Sequence, residues 1–159
     1  MASPFGTDQD IYYMNQALKQ AKLAFAHNEV PIGAVVVNEQ GDIIARAYNN
    51  VETSCTQAAH AEIRALQKAG KKVGDWRLEN CWIYVTLEPC SMCMSMIELS
   101  RLKGVIFGAS SPLFGYRLDK QVKLGLYKKG VVKVVEGIQA ENSALILKQF
   151  FQQKRKRSE

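Results

Sequence analysis

Two short motifs whose first ligand-type residues lie thirty positions apart, His60-Ala61-Glu62 and Pro89-Cys90-Ser91-Met92-Cys93, set the tightest limit on how this chain can fold. Each opens a stretch with helical spacing of apolar residues, so each places its polar side chains at the mouth of a helix. Pro89 suits the first position of a helix, where its missing N–H would have been unpaired anyway, so Cys90 and Cys93 are expected one turn apart at a helix N-terminus. Unpaired amides and the positive dipole end lower thiol pKa values there and favour the thiolate. His60 and Glu62 would diverge in mid-helix, but side chains tilt toward the N-terminus, so both can reach a point just beyond the mouth. Two helix mouths facing one metal is the expected geometry, and the segment between them has to bring the chain back to it.

The rest of the sequence supplies that return path. Ile11, Met14, Leu18, Ala21 and Phe25 recur at helical spacing after Thr7-Asp8-Gln9-Asp10, which has the form of a capping box, and predict a first helix from about Asp8 to His27. "IGAVVVN" and "DIIARAY", rich in β-branched residues and separated by Glu39-Gln40-Gly41, predict a hairpin. After a polar loop from Asn49 to Thr56, Ala59, Ile63 and Leu66 mark a second helix closed by Gly70. "CWIYVTL" predicts a third strand, "SMCMSMIELS" a helix, "GVIFGA" and "VVKVVEG" two more strands, and a final helix begins near Ala140. Strand, helix, strand in close succession implies a parallel crossover, hence an α/β fold with a mixed sheet and helices on both faces. A chain of 159 residues that is 47% hydrophobic suits one domain spanning 1–159, with a basic helical tail at about 150–159.

The opening "MASPFGTDQD" lacks the charged start and apolar run of a signal peptide, and no apolar stretch approaches membrane-spanning length. A soluble, cytoplasmic protein is expected. In that reducing setting Cys55, Cys81, Cys90 and Cys93 argue poorly for disulfides, and a close pair reads as metal-binding or redox-active. Half of the net charge of +6 sits in the last six residues. Such a tail suits a polyanion such as RNA. It equally suits a solvated helix end or a nuclear-import signal.

Two thiolates and an imidazole, from Cys90, Cys93 and His60, suit Zn²⁺ and leave one of its four positions open for water. Zinc lowers the pKa of that water from about 15.7 to about 7. Glu62, not a ligand, would take the water's proton and pass it to a leaving nitrogen, which amounts to hydrolytic deamination of an amidine-like ring carbon. A lone CxxC also serves as a redox pair or as half of a structural zinc site. The second CxxC of a structural site is absent, and a thioredoxin-like motif would follow the first strand rather than the third. His27 is expected as a helix C-terminal contact, Cys81 as a buried strand residue, and Met92, Met94 and Met96 as packing. Cys55, in the loop before His60, reads as a bystander or an adventitious ligand.

With these motifs the sequence resembles the zinc-dependent nucleoside and nucleobase deaminases, which carry an H-x-E and P-C-x-x-C signature. Within that superfamily it is most similar to the bacterial tRNA adenosine deaminases, which convert the wobble adenosine of an anticodon loop to inosine. The resemblance runs through "NEVPIGAVVV", Asn49, "AHAEI", "YVTLEPC", "VIFGA" and Phe150-Phe151 with the basic tail. It implies a cytidine deaminase-like three-layer α/β/α sandwich with a five-stranded mixed sheet, one Zn²⁺ per subunit, and a homodimer in which both subunits contact each anticodon stem-loop. It further implies that Asn49 hydrogen-bonds the target base, that Val30 and Leu87 wall the pocket, and that the last helix, with Phe151, leans on the RNA.

The chain departs from the family's common pattern at Thr56-Gln57-Ala58, where Asp-Pro-Thr is usual, and at Ser110-Ser111-Pro112-Leu113, where Arg-Asp-x-Lys is usual. By the resemblance both loops surround the nucleic acid, so these departures bear on the substrate and leave the zinc chemistry intact. An unpaired RNA base remains the favoured substrate, because extruding it costs only a few kcal/mol and aromatic side chains such as Phe150 and Phe151 can stack on splayed bases. Packing against the sheet is the alternative for at least one of the two. A deaminase of a free base, nucleoside or nucleotide would need the same metal site and no basic tail. A non-catalytic zinc-bearing RNA-binding subunit would have no use for Glu62.

Overall fold

A computed structural model describes residues 3–118 and 132–159. Its central strand β1 (Gly33–Val37) is apolar and buried at every position, as a strand covered on both faces must be. β1 pairs antiparallel with β2 (Ile43–Tyr48) and with β3 (Trp82–Leu87), so that Val35 lies opposite Arg46 on one side and Tyr84 on the other. From β3 the sheet continues in parallel through β4 (Gly104–Ala109) to β5 (Lys133–Glu136), giving the order β2-β1-β3-β4-β5. The mixed five-stranded sheet is the one expected. Exposed charges mark both edges, Arg46 on β2 and Lys133 and Glu136 on β5, which discourages edge-to-edge pairing.

Alternation along β1 divides the core into two layers. Val35 and Val37 point toward α1 (Thr7–Ala26) and pack with Tyr13, Met14, Ala17, Tyr84 and Ile106. Ala34 and Val36 point the other way and pack with Ala65, Leu66, Met94 and Ile97. A four-residue helix, α2 (Val51–Ser54), follows β2 in the chain, and the longer helices α3 (Ala61–Val73) and α4 (Ser91–Leu99) cover that second face. The last helix, α5 (Ala140–Ser158), lies beside α1, where Phe150 meets Phe25 edge-on with ring centroids 5.5 Å apart. No helix among the described residues is long and apolar enough to cross a membrane.

Several local expectations give way to tertiary contacts. Thr7 does not cap α1: Gly6 is the N-cap and no side chain bonds there. Asp10 instead turns inward and accepts hydrogen bonds from Ser3 Oγ at 2.5 Å and the Tyr84 hydroxyl at 2.6 Å. α3 runs through Gly70 and stops at Gly74, whose φ of 80° supplies the left-handed turn and whose N–H bonds to Gly70 O at 2.8 Å. A mid-helix glycine costs only about 1 kcal/mol, whereas ending a helix in this way requires positive φ. Pro89 lies outside α4. Cys90 is the N-cap and Ser91 the first helical residue, because the Pro89 carbonyl is engaged by Tyr116 N at 2.9 Å. Met94 is buried and Met96 partly so, but Met92 faces outward with 40% exposure, since Cys93, Met94 and Ile97 fill the inward side of α4. The polar loop from Asn49 to Thr56 contains α2, and a 3₁₀ turn, Gln57–Ala59, follows it. Cys81 is buried one residue before β3. His27 donates from Nδ1 to Leu23 O at 2.7 Å, as a helix-end residue should. Of the "VVKVVEG" strand, Val131 lies outside the described residues.

Gly33 sets how closely α1 approaches the sheet. A Cβ at that position would stand 2.0 Å from Ala17 O and 2.6 Å from Ala21 N, both backbone atoms that cannot swing away. Gly33→Ala is therefore expected to destabilise the protein by about 2–3 kcal/mol, a fall of roughly 5–10 °C in thermal midpoint for a chain of this size. An unchanged melting curve would mean that α1 can lift from the strand.

Candidate active site

The N-termini of α3 and α4 meet, as the motifs require. His60 is the N-cap of α3 and Cys90 the N-cap of α4, with Cys93 one turn further in. His60 Nδ1 stands 3.7 Å from Cys90 Sγ and 3.4 Å from Cys93 Sγ, and the three possible ligand atoms lie within 4.8 Å of one another. A tetrahedral zinc with Zn–S of about 2.3 Å and Zn–N of about 2.0 Å needs ligand-to-ligand edges of about 3.5 Å, so the donor atoms are already spaced for it. Cys55 is no part of this cluster: it is exposed at the end of α2 and its thiol faces Glu52 O.

The three side chains shift one another's proton affinities. Cys90 is pulled down to about 4, first by the hydrogen bond from Cys93 and then by the one from His60. Cys93 is pushed far up by that same partnership and by burial, and His60 is raised by its bond to Cys90. A divalent cation would replace the shared protons and settle both sulfurs as thiolates. Glu62, in the first turn of α3, is 4% exposed, and burial raises its carboxyl above the ordinary range although His60 lies beside it. It also shares a side-chain hydrogen bond with Cys93, which puts its carboxyl at the metal cluster without making it a ligand.

Around this centre the chain places the other expected residues unequally. Asn49, at the end of β2, is buried, with its N–H on Ile32 O at 2.9 Å and its Nδ2 donating to Val30 O at 3.2 Å, so Asn49 and Val30 are brought together. Leu87 ends β3, three residues before Cys90, and is half-buried. Phe151 is not brought to the cluster. It lies on α5, on the α1 side of the sheet, 48% exposed, with its ring against the buried Phe150. A groove of about 720 Å³ between α1 and α5, flanked by Lys19 and Lys22, also lies on that side and contains none of the metal-site residues.

Four residues with a part in the site escape the motifs. Glu29 is wholly buried and accepts hydrogen bonds from Glu52 N, Thr53 N and Thr53 Oγ1 at 2.7–2.8 Å, which fixes α2 and the loop leading to His60. Burial alone would raise its carboxyl, but those bonds and the nearby Lys154 charge hold it below the usual range. Glu88 accepts from Ser111 N and Arg117 N at 3.3 Å and pairs with Arg117 Nη2 at 3.0 Å. Arg117 also pairs with Glu136 and lies over the Phe107 ring. Gln57 Oε1 stands 3.0 Å from His60 Nε2. Glu88 could have been noticed beside the Pro-Cys motif; the partners of Glu29 and Arg117 lie 19–29 residues away in sequence, beyond any local pattern.

This fold and this metal cluster define a zinc-dependent hydrolytic deaminase. The profile of the cytidine and deoxycytidylate deaminase zinc-binding region matches residues 7–109, and the chain belongs to that family. A tRNA-specific adenosine deaminase of Bacillus subtilis (strain 168) is 43% identical over 150 residues, covering 94% of this chain and 92% of the relative. A structure solved in work on A-to-I editing by tRNA:A34 deaminases at the wobble position superposes with a TM-score of 0.76 at 33% identity, covering 85% of this chain and 98% of the other. A guanine deaminase of Bacillus subtilis superposes with a TM-score of 0.62 at 32% identity over 77% of this chain and 84% of the other.

Metal analysis separates the ligands from the neighbouring acid. The purified protein and Glu62→Ala are each expected to carry one zinc per chain, whereas Cys90→Ala should carry none. Zinc held equally by all three would remove Cys90 from the ligand set.

Proposed function

We propose that this chain, as one domain with a basic helical tail, deaminates adenosine to inosine at the wobble position of a tRNA anticodon loop. The observation that carries the reading is 43% identity, over 94% of the chain, to a tRNA-specific adenosine deaminase. A tRNA substrate also assigns the enzyme to the cytoplasm.

In this reading His60, Cys90 and Cys93 hold the metal. Bound there, zinc supplies the Lewis acidity that makes water nucleophilic near neutral pH. Glu62 takes a proton from the attacking water as the ring carbon gains its bond to oxygen. The same carboxyl then delivers the proton to the exocyclic nitrogen, the carbon–nitrogen bond breaks, and ammonia leaves. The buried setting of Glu62 supports this role, because burial makes the carboxylate a stronger base than a surface one, and a stronger base takes a proton from water more readily. Asn49 Nδ2 is engaged by Val30 O, which leaves Oδ1 for the edge of the base, and Val30 and Leu87 wall the pocket. Phe151 and the exposed Lys154–Arg157 run serve the RNA outside the pocket, the cations against phosphates and the ring as a stacking surface.

A second reading, deamination of a free base, draws on the similarity to a guanine deaminase and on the Ser110–Leu113 loop. The two are separated by incubating zinc-loaded protein with an anticodon stem-loop carrying a wobble adenosine, alongside guanine, cytosine and free nucleosides. Inosine in the stem-loop alone is expected, and Glu62→Ala should slow its formation by about 10²–10⁴-fold. Ammonia from a free base with the RNA untouched would establish the second reading instead.

We also propose a homodimer. Met92 and Leu99 are 40% and 48% exposed, seven positions apart on the outer side of α4. The turn Tyr116–Leu118 packs on that helix, and the loop leading to it exposes Leu113 and Phe114 at 76% and 77%. An apolar surface of this kind suits a second copy of the chain. Sedimentation equilibrium is expected to give twice the 17.8 kDa chain mass, and Leu99→Glu to restore the single mass. A wild-type protein that sediments at the single mass would rule the dimer out.

A further inference from the structure

His60 is held from both sides. Nδ1 faces Cys90 and Cys93 at 3.7 and 3.4 Å, and Nε2 faces Gln57 Oε1 at 3.0 Å. A neutral imidazole carries one proton, and the nitrogen that carries it has no lone pair for a metal. Ligation through Nδ1 therefore requires the proton on Nε2, and a proton on Nε2 is favoured by an acceptor within hydrogen-bond reach of it. Gln57 supplies that acceptor. Were its amide turned the other way, the NH₂ group would donate to Nε2 and favour the tautomer that cannot ligate, so the ligand geometry itself assigns oxygen to the position beside His60.

The backbone fixes Gln57 for this task. It opens the 3₁₀ turn Gln57–Ala59, which is capped by Thr56 Oγ1 accepting from Ala58 N at 3.1 Å. Within the same turn Gln57 O receives the His60 N–H at 3.4 Å. Main chain and side chain of one residue thus hold both the backbone and the ring of the ligand. We infer that Gln57 is a positioning residue for the metal site, its side-chain oxygen selecting the Nε2–H tautomer of His60 and aiming Nδ1 at the two sulfurs. This rests on His60 being a zinc ligand.

The test uses the full chain. Zinc affinity is measured by competition with a chromophoric chelator for wild type, Gln57→Leu and Gln57→Glu, with His60→Ala as reference. Outer partners of metal-bound histidines are worth about 10–100-fold in affinity; Gln57 is exposed and water can partly replace it, so about tenfold weaker binding is expected for Gln57→Leu. Gln57→Glu keeps an acceptor and should bind zinc at least as tightly as wild type. The imidazole NMR spectrum gives an independent reading, because the chain has only two histidines. The His60 Nε2–H proton should exchange slowly with solvent in zinc-loaded wild type and Gln57→Glu, and rapidly in Gln57→Leu. Gln57→Leu with wild-type zinc affinity and an equally protected proton would overturn the inference while leaving the metal site standing. A His60→Ala protein that holds zinc as tightly as wild type would overturn both. Melting curves of the metal-free variants are expected to coincide, which sets the effect apart from loss of fold.

Discussion

Three lone pairs must converge on one point from two helices that start thirty residues apart, and most of the architecture follows from that demand. A helix mouth gives its first side chains freedom to point past the helix end and bathes them in the field of unpaired amides. Bringing two mouths together requires the chain to leave α3, cross the sheet as β3 and enter α4 on the same face. The parallel β3–β4 pair and the buried α3–α4 layer are the consequence. At the cluster the side chains shift one another's proton affinities, with Cys90 held to about 4 while Cys93 is driven the other way. A fold that keeps such a cluster together has to be held from elsewhere, and the two-layer core around β1 does so with contacts that involve none of the ligands.

How much of this was legible in the sequence depended on the range of the interaction. The elements with strong periodicity, from "IGAVVVN" to "SMCMSMIELS", appear where the pattern puts them, because burial on one face of a strand or helix leaves a local signature. So does the metal site, since the ligands cluster within two short motifs. Caps and stops fared worse. Thr7 and Asp10 have the letters of a capping box, yet Asp10 is taken by Ser3 and by Tyr84, the latter 74 residues away. Gly70 has the identity of a helix stop, and its context keeps it helical until Gly74. α2 is invisible for a related reason: its amides are satisfied by Glu29, which precedes β1 and meets α2 at the open end of the β1–β2 hairpin, 23 and 24 residues away in sequence.

The same distinction bears on the two loops where the chain departs from the family pattern. The resemblance to the family implies that both surround the nucleic acid. In the structure each is joined to residues that hold the metal ligands. Thr56 and Gln57 shape the turn that carries His60 and hold its ring. Ser111 and Arg117 are drawn onto Glu88, and Tyr116 onto the Pro89 carbonyl, directly ahead of Cys90. Arg117, in the 3₁₀ turn that follows the second loop, pairs with the buried Glu88 and with Glu136 at the surface. A change of residue in either loop thus reaches the residues that hold the ligands, through Gln57 beside His60 in the first and through Ser111 on Glu88, two residues before Cys90, in the second.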